Sequence, residues 1–149
     1  MALPGRKPPA EGEARRNPHR KLAEWTEVDD VPFDGPWPDL PAERTIITRD
    51  GQISVKLQGL TVKWWDTIKR MPHAKLWTDS DWMFAVETAL VVDAAFCGVA
   101  SAQTESRNRQ KVLGTTSDFR RDLRIKYVPA GVEREELAEV RSIDSVRDL

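Results

Sequence analysis

Few residues in this 149-residue chain could do chemistry, and their spacing argues against a catalytic use. Glu87 and Asp93 are the two carboxylates inside the apolar run "FAVETALVVDAAF". Six residues apart on a helix, they point to different faces and cannot share one substrate as an acid and base pair. Hydrogen bonds or ion pairs at an interface are the expected use. His73 directly follows Pro72, a place for a capping or turn role. Cys97 lies in an alanine-rich helical stretch and is expected to be a small buried hydrophobe. One cysteine and two histidines, His19 and His73, exclude an internal disulfide framework and leave no plausible metal cluster. With no glycine-rich nucleotide loop and no nucleophile elbow, the expectation is a non-enzyme without catalytic residues, metal or cofactor.

The basic residues carry a different chemistry, the binding of phosphates. The formal charge is only −1, but it is unevenly spread. Residues 1–21 hold Arg6, Lys7, Arg15, Arg16, Arg20 and Lys21 against Glu11 and Glu13, a net +4. Residues 22–44 reverse the sign: seven acidic side chains face only Arg44, a net −6. Over 107–126, Arg107, Arg109, Lys111, Arg120, Arg121, Arg124 and Lys126 oppose Asp118 and Asp122, a net +5. Guanidinium forks suit phosphate oxygens, and counterion release then drives association with DNA. The competing use of this last cluster is a solvated face with salt bridges between subunits.

These side chains must be positioned by the elements around them. Residues 1–44 divide into a proline-rich basic arm, expected to be disordered on its own, and an acidic strap, "VPFDGPWPDLPAE", whose Phe33 and Trp37 can dock on a core. A β-hairpin is expected over 45–59, with strands at about 45–49 and 52–57 around a type I′ turn at Asp50-Gly51. A helical core should fill 60–128. Its first helix runs over about 61–71 on Trp64, Trp65, Ile68 and Met71 until Pro72 stops it. Thr78 and Asp81 can cap a second helix, which has no proline before the natural cap at Gly114. If unbroken it is a rod of about 50 Å, with Gly98 the one place open to a bend or interruption. A shorter helix follows at about 117–126, closed by Pro129 and Gly131. Residues 129–149 form a tail, helix-prone and weakly amphipathic from 132 on, expected to be mobile in the free protein and ordered by a partner.

Between Trp82 and Ala100, 15 of 19 residues are apolar, nearly all round the helix. A membrane span conflicts with Glu87 and Asp93 in mid-segment. A monomeric bundle could bury the helix, but the remaining apolar supply is thin. Other copies of the chain are the favoured cover, with Trp82, Val86, Leu90 and Phe96 as contact residues. The opening "MALPGRKPPAEGEARR" shows no apolar stretch of a signal peptide, so a soluble cytoplasmic protein is expected.

Two longer strings, "MPHAKLWTDSDWMFAVETALVVDAAF" and "NRQKVLGTTSDFRRDLRIKYV", resemble the small terminase subunit of tailed phages of actinobacteria, and "PGRKP" is similar to the start of related subunits. The resemblance covers about 64–128 and, more loosely, the arm. It implies a mainly α, non-catalytic protein assembled as a homo-oligomeric ring, to which the residues themselves add a helical core with one long central helix, a small hairpin and a disordered N-terminal arm. It also implies binding of the packaging-start site on double-stranded viral DNA in the host cytoplasm and delivery of that DNA to the ATPase and nuclease large subunit, with no membrane partner. Many such subunits begin with a helix-turn-helix. Here residues 1–60 read as arm, strap and hairpin, and the basic arm is the substitute, with Arg120, Arg121, Arg124 and Lys126 on a short helix as the second DNA-binding set. A head-assembly or connector protein, and a small DNA-binding regulator, are the alternative functions.

Overall fold

Two four-residue strands from opposite ends of the fold pair with each other. In the computed structural model, which describes residues 24–131, β1 (Thr26–Asp29) runs parallel to β4 (Ile125–Val128), with Val28 opposite Tyr127. The basic arm and, of the expected C-terminal tail, residues 132–149 lie outside the described residues. Everything between the two strands is one long crossover: the hairpin β2 (Glu43–Thr48) and β3 (Gly51–Lys56), then α1 (Gly59–Ile68), a 3-10 segment (Pro72–Leu76), α2 (Asp79–Phe96), α3 (Ala100–Leu113) and α4 (Ser117–Asp122). The architecture is helical at its centre with two small two-stranded sheets.

The expected rod from Thr78 to Leu113 is two helices. Gly98, at φ +86°, takes the left-handed conformation that a side chain disfavours. Its N–H donates to the Ala95 carbonyl and the Val99 N–H to that of Ala94, at 3.0 and 3.1 Å, which closes α2 in a Schellman motif. The same pattern ends α3, where Gly114 (φ 68°) and Thr115 donate to Lys111 and Gln110. After Gly98 the chain turns back, and α3 packs antiparallel on α2. Composition explains the fold-back. Apolar α2 gains a neighbour from α3, which is mostly polar and buries Ala102, Ser106 and Leu113.

α1, the 3-10 segment and the strap also pack against α2. Trp65, Ala74, Trp82, Ala85, Ala89 and Leu113 form the core, with Phe33, Trp37 and Leu40 of the strap packed on it. Trp82 sits at its centre, 4.8 Å from Trp77 edge-on and stacked at 5.9 Å against Phe33. The docking of Phe33 and Trp37 and the start at Thr78 follow the sequence reading, whereas α1 ends at Ile68, short of the expected stop, and Pro72 opens the 3-10 segment. Both the N–H and the hydroxyl of Thr78 donate to the Asp81 carboxylate at 2.8 Å.

The hairpin forms with a different turn. Thr48 pairs with Gly51, so Arg49 and Asp50 are the loop residues. Of these three only Gly51 has positive φ, at +129°, so the type I′ turn expected at Asp50-Gly51 is replaced by a turn one residue earlier. The hairpin is exposed along most of its length and leans on the core through Arg44. The Arg44 Nε donates to Asp93 at 2.9 Å.

Asp93 is fully buried and is the meeting point of three segments. Besides Arg44 it accepts the Gln58 N–H and the Thr61 hydroxyl, both at 2.7 Å. Gln58 is the N-cap of α1 and supplies no side-chain cap of its own. The Asp93 carboxylate therefore caps α1 from another helix, at the positive end of its dipole. Burial pushes the Asp93 carboxyl up, but the Gln58, Thr61 and Arg44 donors outweigh it and hold the group below its ordinary value. Removing a buried charge's partner, or the charge itself, from such a set costs about 3–5 kcal/mol. Asp93→Ala should lower the unfolding free energy by about that amount, and Thr61→Val, which removes one charge-assisted hydrogen bond, by about 1.5–3 kcal/mol. Urea unfolding followed by circular dichroism measures both.

Candidate nucleic-acid interface

The basic residues of 107–126 do not share one helix. α4 ends at Asp122, Leu123 closes it, and Arg124 adopts a left-handed conformation (φ 57°) that turns the chain into β4. The helix expected over 117–126 is thus a six-residue helix, a left-handed corner and a strand. The change has a physical source: Ile125, Tyr127 and Val128 are β-prone, and β1 offers them a ladder. Arg120 and Arg121 lie on α4, Arg124 at the corner and Lys126 on β4.

Each of the four has a partner within the chain. Arg120 Nη1 donates to the Gly114 and Thr115 carbonyls at 3.2 and 3.4 Å, and its guanidinium lies 4.5 Å from the centre of the Tyr127 ring. Arg120 thus closes the C-terminal end of α3. Arg121 pairs with Asp118 at 2.8 Å, Arg124 stands over Trp25 at 5.8 Å, and Lys126 reaches Glu27 at 4.0 Å. Arg109 bridges Glu105 and Glu87 at 2.7 and 3.2 Å. Lys111 is half-exposed and 3.7 Å from Asp122, and Arg107 is exposed. The described core holds 14 basic and 16 acidic residues, so its surface as a whole is not positive. The surplus positive charge of the chain is in the arm.

The carboxylates expected at an interface are used inside the chain, Glu87 by Arg109 and Asp93 by Arg44. Cys97, expected to be buried, is exposed at the C-cap of α2, where Arg44 Nη2 approaches its sulfur at 3.7 Å. Of the four residues expected to contact other copies, Trp82 belongs to the chain's own core. Val86 and Leu90 are half-buried, and Phe96 is 47% exposed. Leu90, Val91 and Ala94 line an open groove between the hairpin base and α3, bordered by Glu43, Glu87 and Glu105.

His73 does more than cap a turn. It is fully buried, with Nε2 at 2.8 Å from the Leu113 carbonyl and Nδ1 at 2.6 Å from the Tyr127 hydroxyl. A carbonyl only accepts, so Nε2 carries the proton and Nδ1 accepts from Tyr127, as in a neutral imidazole. The ring ties the 3-10 segment to the end of α3 and to β4. "PHAKLW" alone gives no sign of this, because both partners lie at least 40 residues away. Among the described residues no group of three or more histidine, cysteine or acidic side chains could hold a metal, and no helix is long and apolar enough to cross a membrane.

The chain belongs to the phage terminase small subunit family, whose model matches residues 4–149, and the family's role is in phage DNA packaging. No curated protein and no solved structure matches the chain significantly.

Burial pushes the His73 imidazole below its ordinary value, and Arg120 acts in the same direction, against the opposing pull of the Leu113 carbonyl. A depressed folded value means that the unfolded chain binds the proton first. Stability present above about pH 6.5 is therefore lost as the pH falls below it, with a slope of up to about 1.4 kcal/mol per pH unit until the folded group also titrates. Urea midpoints at pH 7.5, 6.5 and 5.5 should fall in that order, and His73→Gln should flatten the trend. A trend unchanged in His73→Gln would assign the acid sensitivity elsewhere.

Proposed function

We propose that this protein is the DNA-recognition subunit of a phage packaging motor, binding the packaging-start region of double-stranded viral DNA in the host cytoplasm and handing it to the large subunit, which supplies the ATPase and nuclease. The observation that carries the reading is the family match over residues 4–149, which takes in arm, core and tail together. The charge distribution supports it. The arm gathers six basic residues, Arg6, Lys7, Arg15, Arg16, Arg20 and Lys21, against two acidic ones, while Arg109, Arg120 and Arg121 of the core are engaged in its own structure. The arm is the main phosphate-binding element, supplying affinity with little sequence information. Arg121, Arg124 and Lys126, near the point where the arm joins the core, extend that surface. Base or shape readout falls to the ordered part, the α4–β4 corner or the hairpin tip at Arg49.

The protein works as a homo-oligomeric ring, which multiplies modest contacts per subunit through effective concentration. Val86, Leu90 and Phe96 are the contact residues that remain accessible for it, and the groove at Leu90, Val91 and Ala94 marks the surface. The tail, with six acidic residues against three basic ones over 132–149, is the element offered to the large subunit.

Deleting residues 1–21 should weaken binding to packaging-site and random DNA alike. It should also lower the slope of log K against log salt by up to about 5, since six basic side chains at about 0.9 each are lost. Fluorescence anisotropy over a salt series measures both, and an unchanged slope would remove the arm from the site. Leu90→Asp should place an uncompensated carboxylate in the subunit contact and dissociate the oligomer in native mass spectrometry. A folded wild-type monomer at micromolar concentration would overturn the ring.

A further inference from the structure

The strap, the 3-10 segment and the start of α2 line a second groove, of about 520 Å³. Its walls are Phe33, Trp37, Trp77 and Trp82, with Pro36 and Pro38 fixing the strap and Met83, 66% exposed, at the rim. Asp79 lines it. Asp34 and Asp39 adjoin lining residues of the strap and are exposed, and Lys75 is the one basic residue in the wall. Among the described residues, neither the Trp37 nor the Trp77 indole donates a hydrogen bond, whereas that of Trp64 donates to Gln110 at 3.2 Å. Aromatic walls with indole donors suit an extended proline-rich segment, because its rings pack on the aromatic faces and its free carbonyls accept from the indoles. The acidic rim adds a preference for a basic segment.

We infer that the occupant is this chain's own residues 4–9, Pro-Gly-Arg-Lys-Pro-Pro, and that the arm is latched on the core until DNA displaces it. The segment has prolines at both ends and Arg6 and Lys7 between them, the composition that the groove and its rim would select. The tether reaches. The arm joins the core just before β1, which lies against the 3-10 segment that carries two of the groove's lining residues. Residues 10–23 extend up to about 50 Å at about 3.3–3.6 Å each, so a much shorter path leaves ample slack. The groove at Leu90 is a poorer seat, since it has no aromatic wall and its Glu87 and Glu105 are already held by Arg109. The latch rests on the reading of the arm as the phosphate-binding element. Docked, the arm withholds Arg6 and Lys7 and lowers the apparent DNA affinity by the fraction of time it is open.

The test uses the full chain with a nitroxide at position 2 (Ala2→Cys in a Cys97→Ser background). The indole N–H signals of Trp37 and Trp77 and the Met83 methyl should lose intensity relative to the reduced label, while the hairpin tip at Arg49 and Gly51 keeps its signals. Pro8→Ser/Pro9→Ser, which leaves the core untouched, should restore the lost intensity. Equal intensity at groove and hairpin tip overturns the docking. Broadening that appears only when labelled and isotope-enriched chains are mixed would assign the groove to a neighbour's arm and overturn the latch within one chain. With the latch closed about nine-tenths of the time, Pro8→Ser/Pro9→Ser should tighten DNA binding about tenfold, and an unchanged affinity overturns the masking role. The underlying reading fails separately: an arm with no part in DNA binding would still broaden the groove signals, but its deletion would leave affinity unchanged.

Discussion

A single buried carboxylate sets the arrangement of half the fold. Asp93 lies in the most apolar stretch of the chain, where an isolated charge would be prohibitive, and it is tolerated because three donors from β2, the α1 N-cap and α1 itself converge on it. Each donor is committed by that choice. Arg44 ties down a hairpin that has little other contact with the core, Gln58 fixes where α1 begins, and Thr61 sets the rotation of α1 against α2. Packing of apolar side chains alone would leave these three elements free to slide, whereas a carboxylate with directional partners admits one arrangement.

Local signals were legible wherever the controlling interaction spans a few residues. The Thr78–Asp81 cap and Gly114 acted as their chemistry dictates, and Phe33 and Trp37 docked, together with Leu40, as the large apolar residues of the strap. Non-local signals were weaker. Gly98 marked the break in the long helix, but whether it bends or reverses the chain depends on α3 finding a partner face on α2. The β1–β4 ladder joins residues about a hundred positions apart through two strands too short to show a period, so Ile125 and Lys126 read as the end of a helix. A clue to Asp93 was present: Arg44 is the one basic residue in a segment of seven acidic ones, and it pairs with the acid buried in the apolar helix. The candidate site was legible in composition and less so in geometry. The arm's charge stands in the sequence, but the second basic cluster looked like a helical face only until Arg120 proved to close the end of α3.

The near-zero net charge conceals a division of labour. Arm, described core and the stretch from 132 carry +4, −2 and −3, so a whole-chain value says nothing about phosphate affinity. Concentrating the positive charge in a tethered segment keeps the folded part free to use its arginines as structural donors. Arg44, Arg109 and Arg120 each close a helix end, bridge two elements or anchor a sheet, and none is surplus.

The parallel sense of the β1–β4 pair has a mechanical consequence. The arm enters at the start of β1 and the tail leaves near the end of β4. A pull on the arm toward the nucleic acid and a pull on the tail toward the motor would draw two parallel strands past each other along their length. Load would then fall on all the rungs from Thr26–Ile125 to Asp29–Val128 together, in shear, instead of opening them one at a time from a free end. A subunit gripped at both termini would carry tension through its most resistant direction, and the helices between the strands would be spared it.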